Sequence, residues 1–202
     1  MRIIVRSSPQ QQEEWLSKPA GAADVSFVYG DDVFNVDADV YVDLLFEEKS
    51  ALFYPEQKPV FVSAVIKTLE ELPANFIRIN AWNGFLKRER VEVASSEKNK
   101  PIVKKVMDEL GWTHTFAPDV AGMIAARTIA MIVNEAYFAL EEGVSTKENI
   151  DTAMKLGTNY PYGPFEWAQV IGLKKIYMLL IALSVKENRY LTAPIIEQEV
   201  FS

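Results

Sequence analysis

The sequence contains no cysteine and one histidine, His114. The first absence excludes disulfides, thiolate metal sites and cysteine nucleophiles. The second excludes a multi-histidine metal site within one chain. Long apolar runs are missing too: none approaches the ~20 residues that a membrane-spanning helix needs. The opening "MRIIVRSSPQ" has too short an apolar part for a signal peptide. A cytoplasmic protein with no membrane partner is expected. Positive charge is scarce: 21 Lys and Arg against 28 Asp and Glu leave a net charge of −7. Such a chain repels nucleic-acid backbones, so nucleic acid is not expected as a partner. The one basic cluster, "KRER" (Lys87–Arg90), reads as a solvated turn between two strands in preference to an anion site.

What is present is material for a core. Hydrophobic residues make up 49% of the 202 and aromatics 11%, enough for one large domain or two small ones. The first half alternates strand-like and helical runs. The strand candidates are "RIIV" (Arg2–Val5), "VSFVY" (Val25–Tyr29), "ADVYVDLLF" (Ala38–Phe46), "KPVFVSAV" (Lys58–Val65), "FIRINAW" (Phe76–Trp82) and "RVEVA" (Arg90–Ala94). A helix follows in which Ile102, Val103, Val106 and Leu110 keep helical spacing and Gly111 marks the stop. "THTFAPD" closes the series as a last strand, and strands interleaved with helices predict a mostly parallel sheet. From about Val120 onward strand patterns disappear. A long apolar helix ends at Gly143. The next is expected to have a capping box, Ser145 as N-cap and Glu148 three residues on, and to stop at Gly157. A helix pair jointed at Gly172 and a tail helix "PIIEQEV" complete the chain. The boundary is placed between Pro118 and Asp119, giving domains 1–118 and 119–202. No internal repeat or low-complexity segment is visible.

The hairpin-like stretch "FIRINAWNGFLKRERVEV" (Phe76–Val93) carries three polar groups where chemistry could sit: Asn80, Asn83 and Glu92. Its meaning depends on the rest of the chain. "NEAYFALEEGVSTKENIDTAMKLGTNYPYGPFEWAQVIGL" (Asn134–Leu173) resembles the C-terminal domain of the 3-hydroxyacyl-CoA dehydrogenases, with several motif blocks in the right order. The resemblance extends backward. "ADVYVDLLFEEK" is similar to the family's "ADLVIEAVFE", and "VFVSAVIKTLEEL" sits where the family has a serine-rich "SNTSSL" segment. "FIRINAWNGFLKRERVEV" lines up with "FIGLHFFNPVPVMKLVEV", and "FAPDVAGMIAAR" with "VKDTPGFIVNR". The fold this implies is an α/β N-terminal Rossmann-like domain, here reduced, plus an all-α C-terminal domain. The resemblance also implies a homodimer formed through the helical domain, NAD as cofactor and a small acyl ligand.

In that family a histidine takes the hydroxyl proton of a 3-hydroxyacyl-CoA while NAD accepts the hydride, and a glutamate orients the histidine. The resemblance puts Asn80 at the histidine position, and an amide cannot take a proton near neutral pH. The glutamate falls on Glu92 and the following asparagine on Asn83. In the serine-rich segment Ser63 stays while the inner serines become Ile66 and Lys67. The asparagine of "VNR" becomes Ala126, with Arg127 retained. The three fingerprint glycines of a dinucleotide loop fall on Ser7, Pro9 and Gln12. Ser7 and Ser8 could still cap a helix and bind an anion. Whether the crevice there is open, or filled by side chains such as Trp15 and Gln12, is not legible. Asp31 is either the acid that reads the ribose or a turn aspartate. Glu47 and Lys49 match the loop that approaches the nicotinamide. Only "DDVFNVD" joins the second and third strands, where the family has a helical arm that contacts coenzyme A. The expectation is therefore a family member with weak or lost catalysis, a pseudoenzyme that keeps a dimeric scaffold or binding role. A working NAD-dependent dehydrogenase is the alternative.

Overall fold

A computed structural model describes residues 1–29, 36–49 and 54–202 of the chain. It divides into two compact units, Met1–Met123 and Ile124–Ser202.

The first unit is built on seven strands: β1 (Arg2–Arg6), β2 (Asp24–Val28), β3 (Val40–Asp43), β4 (Val60–Val62), β5 (Phe76–Ile79), β6 (Arg90–Ala94) and β7 (Thr113–Phe116). Their spatial order is β2-β1-β3-β4-β5-β6-β7. All neighbours pair in parallel except β5 and β6, which form an antiparallel pair with Arg78 opposite Ala94 and Ile79 opposite Val93. The mostly parallel sheet expected from the alternating pattern is present. Three of its strands are shorter than their apolar runs; β4 keeps only Val60–Val62 of the run Lys58–Val65. The β3 run stops at Asp43 because the Leu45 N–H turns back to the Asp43 carboxylate at 2.8 Å. The β5 run stops at Ile79. Beyond it a turn forms, with the Phe85 N–H on the Trp82 carbonyl and Gly84 at φ 88°.

Helix α1 (Pro9–Leu16) links β1 to β2, and α2 (Lys100–Leu110) links β6 to β7. In α2 Val103, Val106, Met107 and Leu110 are buried, and Gly111 ends the helix in the left-handed region at φ 69° as its position predicts. Both helices cover the same face of the sheet. Trp15 of α1 and the apolar side of α2 join Ile3, Val5, Val42, Phe61, Ile77 and Val93 in one core. The opposite face carries Ile4, Tyr41, Val60, Val62 and Phe76, packed against Phe46, Tyr54 and Leu72. Phe46, Tyr54 and Phe76 meet mutually, ring centroids 5.1–6.4 Å apart. A parallel sheet ordinarily carries helices on both faces; here an aromatic trio lies on the second.

The second unit is all helical: α3 (Ala125–Glu141), α4 (Lys147–Thr158), α5 (Pro164–Ile171), α6 (Leu173–Ser184) and α7 (Pro194–Phe201). Helices α5 and α6 meet at Gly172, φ 98°, with a bend of 98°. No single helix among the described residues is long and apolar enough to cross a membrane. Two expected boundaries shift. The N-cap of α4 is Thr146, whose hydroxyl accepts from the Asn149 N–H, so the Ser145–Glu148 capping box is off by one residue. The helix also runs through Gly157 and ends on Asn159, in the left-handed region at φ 56°. Asparagine tolerates that region, so glycine was not needed there.

The motif-rich segment 134–173 is explained by helix docking. The buried Asp151 of α4 accepts the Phe165 and Glu166 N–H groups, at 2.8 and 3.2 Å, and so caps the first turn of α5. Gly163 sits so close to it that an added Cβ would lie 2.3 Å from Asp151 Oδ1. Glu166 accepts from the Gly163 N–H at 2.9 Å and pairs with Lys155. Asn134 of α3, buried, donates to Leu191 O and accepts from Ala193 N–H, both at 2.9 Å, and so fixes the approach to α7. These are packing and capping roles within the helical unit.

Candidate functional site

The chain runs from β1 to β2 on one side and then to β3 on the other. The order of connection therefore reverses beside β1. Open α/β sheets bind ligands in the crevice outside the carboxyl ends of the strands at such a point. Asp43 ends β3, and Ser7, Ser8, Glu47, Lys49, Ser63, Asn80 and Asn83 follow the carboxyl ends of β1, β3, β4 and β5. Asp31 lies outside the described residues.

Ser8 is the N-cap of α1 and makes a full capping box with Gln11: its hydroxyl accepts from the Gln11 N–H, and its own N–H donates to Gln11 Oε1 at 3.0 Å. Pro9 occupies the first turn and has no N–H to offer. The Ser8 and Gln11 N–H groups at the helix start are thus satisfied from within. The other end of the Gln11 amide reaches the segments that follow two of the strands. Its Nε2 donates to Leu44 O, just past β3, at 2.8 Å, and to Ala81 O, past β5, at 3.3 Å. Gln11 is 1% exposed. Of the two side chains considered as fillers, Trp15 instead lies in the core against Trp112, and Gln12 meets the Tyr29 hydroxyl. The Ser7 hydroxyl beside it is buried without a hydrogen-bond partner among the described residues.

Helix α1 is stitched to the turn after β5 along its length. Asn83 Nδ2 donates to Gln10 Oε1 at 3.1 Å, the Gly84 N–H to Glu14 Oε1 at 2.6 Å, and Lys18 Nζ to Arg88 O at 2.7 Å. Glu14 is buried, and burial raises its carboxyl above the ordinary range despite the Gly84 N–H and nearby Lys87. Beneath the crevice Arg6 and Asp43 form a buried ion pair at 3.1 Å, and the Tyr54 hydroxyl also donates to Asp43. Burial again raises the Asp43 carboxyl, against the opposing pull of Tyr54, Arg6 and the Leu45 N–H.

Asn80 is 2% exposed, and its Nδ2 donates to Glu92 Oε2 at 3.3 Å across the antiparallel pair. Its Oδ1 is buried without a hydrogen-bond partner among the described residues. Ser63 is buried, with its N–H on Asp43 O at 2.9 Å. Lys49 is exposed at the end of a turn, its N–H on Leu45 O. The Glu47 carboxylate accepts the N–H groups of Val65, Ile66 and Lys67. His114 lies on the edge strand β7 with its ring against Phe116, and burial lowers its pKa. No group of three or more His, Asp or Glu among the described residues is arranged to hold a metal. Sequence reasoning missed Gln11, Glu14, Arg6, Asp43 and Arg78. Their partners lie 13–70 residues away, and nothing local marks them.

A family model for the C-terminal domain of 3-hydroxyacyl-CoA dehydrogenases matches residues 122–201. The chain belongs to the 3-hydroxyacyl-CoA dehydrogenase family. This family member is 43% identical over 94 residues to 3-hydroxyadipyl-CoA dehydrogenase of Escherichia coli, a match covering 46% of the chain and 20% of the relative. It is 30% identical over 141 residues to a probable 3-hydroxybutyryl-CoA dehydrogenase of Deinococcus radiodurans, covering 67% and 51%. The chain therefore spans between a fifth and about half the length of these relatives. Among solved structures it superposes on (S)-3-hydroxybutyryl-CoA dehydrogenase of Ralstonia eutropha with a TM-score of 0.70 over 99% of the chain and 93% of the other; at 15% identity this shows the fold alone. A 3-hydroxybutyryl-CoA dehydrogenase of Escherichia coli K12 gives a TM-score of 0.60 at 32% identity, over 70% of the chain and 31% of that structure.

Proposed function

We propose that this 3-hydroxyacyl-CoA dehydrogenase relative keeps the family's scaffold without its stand-alone NAD-dependent oxidation of 3-hydroxyacyl-CoA. It serves as a dimeric scaffold or binding protein for a small acyl ligand. The observation that carries this reading is Gln11. Its side chain bridges Leu44 O and Ala81 O at the crevice where a dinucleotide would cross the sheet. A pyrophosphate needs close backbone approach and free N–H donors at the helix start. Pro9 supplies no N–H, and the Ser8–Gln11 box uses the donors beside it. These residues do not fit the cofactor. Asn80 supports the same reading, because the loss of a general base costs roughly 10²–10⁴ in rate. The helical unit fits a retained scaffold, since Asp151, Gly163, Glu166 and Asn134 all act in its internal packing.

A second reading, a working oxidoreductase, draws on the Asn80–Glu92 pair, which keeps a donor on the orienting carboxylate. One experiment separates the two. Purified protein is titrated with NADH by fluorescence and assayed for acetoacetyl-CoA reduction. Silence in both is expected; saturable binding with turnover would overturn the proposal. Dimerisation would use α6 and its C-cap, which expose Met178, Ile181 and Val185 at a helical spacing of three and four residues.

A further inference from the structure

The turn that follows β4 presents consecutive amides to one side chain. The N–H of Val65 reaches Glu47 Oε2 at 2.9 Å, and those of Ile66 and Lys67 reach Oε1, each at 2.9 Å. Successive backbone N–H groups converging on a point form an anion-binding concavity. We propose that residues 65–67 are a carboxylate-binding nest and that Glu47 is its resident occupant, a plug supplied by the chain itself.

Three observations set this apart from an ordinary side-chain cap. First, the nest is held from beneath by a different residue. Arg78 is fully buried, and its guanidinium donates to Ala64 O at 2.9 Å, Val65 O at 3.2 Å and Val120 O at 3.1 Å. It also pairs with Asp119, whose carboxylate accepts the Leu69 N–H at 3.1 Å. The carbonyl side of the turn and its exit are thus fixed without Glu47, so the amides keep their aim when it leaves. Second, the buried guanidinium, although paired with Asp119, still acts on Glu47 as a positive charge that favours its carboxylate form, alongside the three amides. Third, Glu47 comes from another segment, 18 to 20 residues earlier, on a turn with its own bonds from Glu48 and Lys49 N–H to Leu45 O. Burial raises its carboxyl above the ordinary range in spite of the three amides. The occupant is a short carboxylate, so the chemical class the site takes is a small carboxylate, either free or at the end of an acyl chain. The inference does not depend on whether the chain binds NAD.

The test is replacement of the occupant. Glu47→Ala and Glu47→Gln variants of the full chain are titrated with sodium acetate, and with sodium chloride and sodium phosphate at matched ionic strength. Thermal midpoint and the amide resonances of Val65, Ile66 and Lys67 are read. Acetate should raise the Glu47→Ala midpoint saturably relative to chloride, by roughly 3–6 °C per tenfold increase above its Kd. It should move those three amides together and leave wild type and Glu47→Gln unchanged. If Glu47→Ala is unfolded in chloride, recovery of the folded spectrum in acetate is the same readout. An equal acetate effect on wild type, a larger effect of phosphate than of acetate, or no response of Glu47→Ala in either measurement would overturn the assignment.

Discussion

Gln11 and Glu14 lie one turn apart on α1, and each reaches a different part of the segment after β5. A glutamine and a glutamate in "PQQQEEW" look like solvent-facing helix residues. Only the fold, which brings residues 70 positions apart together, reveals them as buried. Removing the Gln11 amide leaves two buried carbonyls without their donor. Gln11→Ala should therefore destabilise by about 1–3 kcal/mol in urea denaturation, and NADH binding should stay absent because Pro9 remains. Glu14 has a raised native pKa, so the folded state holds its proton to higher pH than the unfolded chain. Its contribution to stability is present below the unfolded carboxylate range near pH 4.3 and is lost as pH rises through the native pKa. Glu14→Gln does not titrate and should gain stability relative to wild type as pH is raised from 4 to 7. A difference that narrows with pH instead would refute this account of Glu14. Asn80 and Glu92 were legible as a pair through the family resemblance, which puts them at the positions of the base and its orienting glutamate; the segment alone offers three scattered polar groups. The Glu47 contacts were not, since a carboxylate after a strand gives no sign of which backbone it will meet.

Elements were read more easily than their ends. Short apolar and β-branched runs located all seven strands, and spacing located α2, but termini depend on caps that one residue can displace. In α4 the sequence "VSTKEN" offers two hydroxyls in a row, and the structure uses the second. Thr146→Ala should cost about 1 kcal/mol and Ser145→Ala close to nothing, measured side by side by thermal unfolding. Helix α2 packs so closely on the chain entering β2 that a Cβ at Gly21 would lie 2.1 Å from Glu109 O and 2.4 Å from Leu110 C. Both contacts are backbone, so no side-chain rotation relieves them. Gly21→Ala should destabilise by about 1–3 kcal/mol, the range for overpacking. A variant as stable as wild type would show that the loop before β2 has more room than the structure gives it.

At the scale of the molecule, the two kinds of pattern along the chain, strand-like runs interleaved with helical ones first and helical runs alone after, announced an α/β unit followed by a helical one. The apolar stripe on α6 and its C-cap belongs to the whole-molecule scale because the proposed dimer would form there. Met178 is 46% exposed, Ile181 37% and Val185 83%. Ile181→Glu should shift the protein from dimer to monomer in light scattering while leaving its circular dichroism unchanged; a wild type that is already monomeric would remove the dimer from the proposal. The connections behind the aromatic trio have a consequence for how the chain folds. Among the described residues, the connections from β3 to β4 and from β4 to β5 contain no α-helix. The pairs β1–β2 and β6–β7 each close around a helix that forms locally, whereas the three central strands pair across connections whose described parts supply no such helix. Such pairings meet their loop-closure entropy before any contact rewards it. The sheet should therefore assemble from its two rims inward, with the centre zipping last.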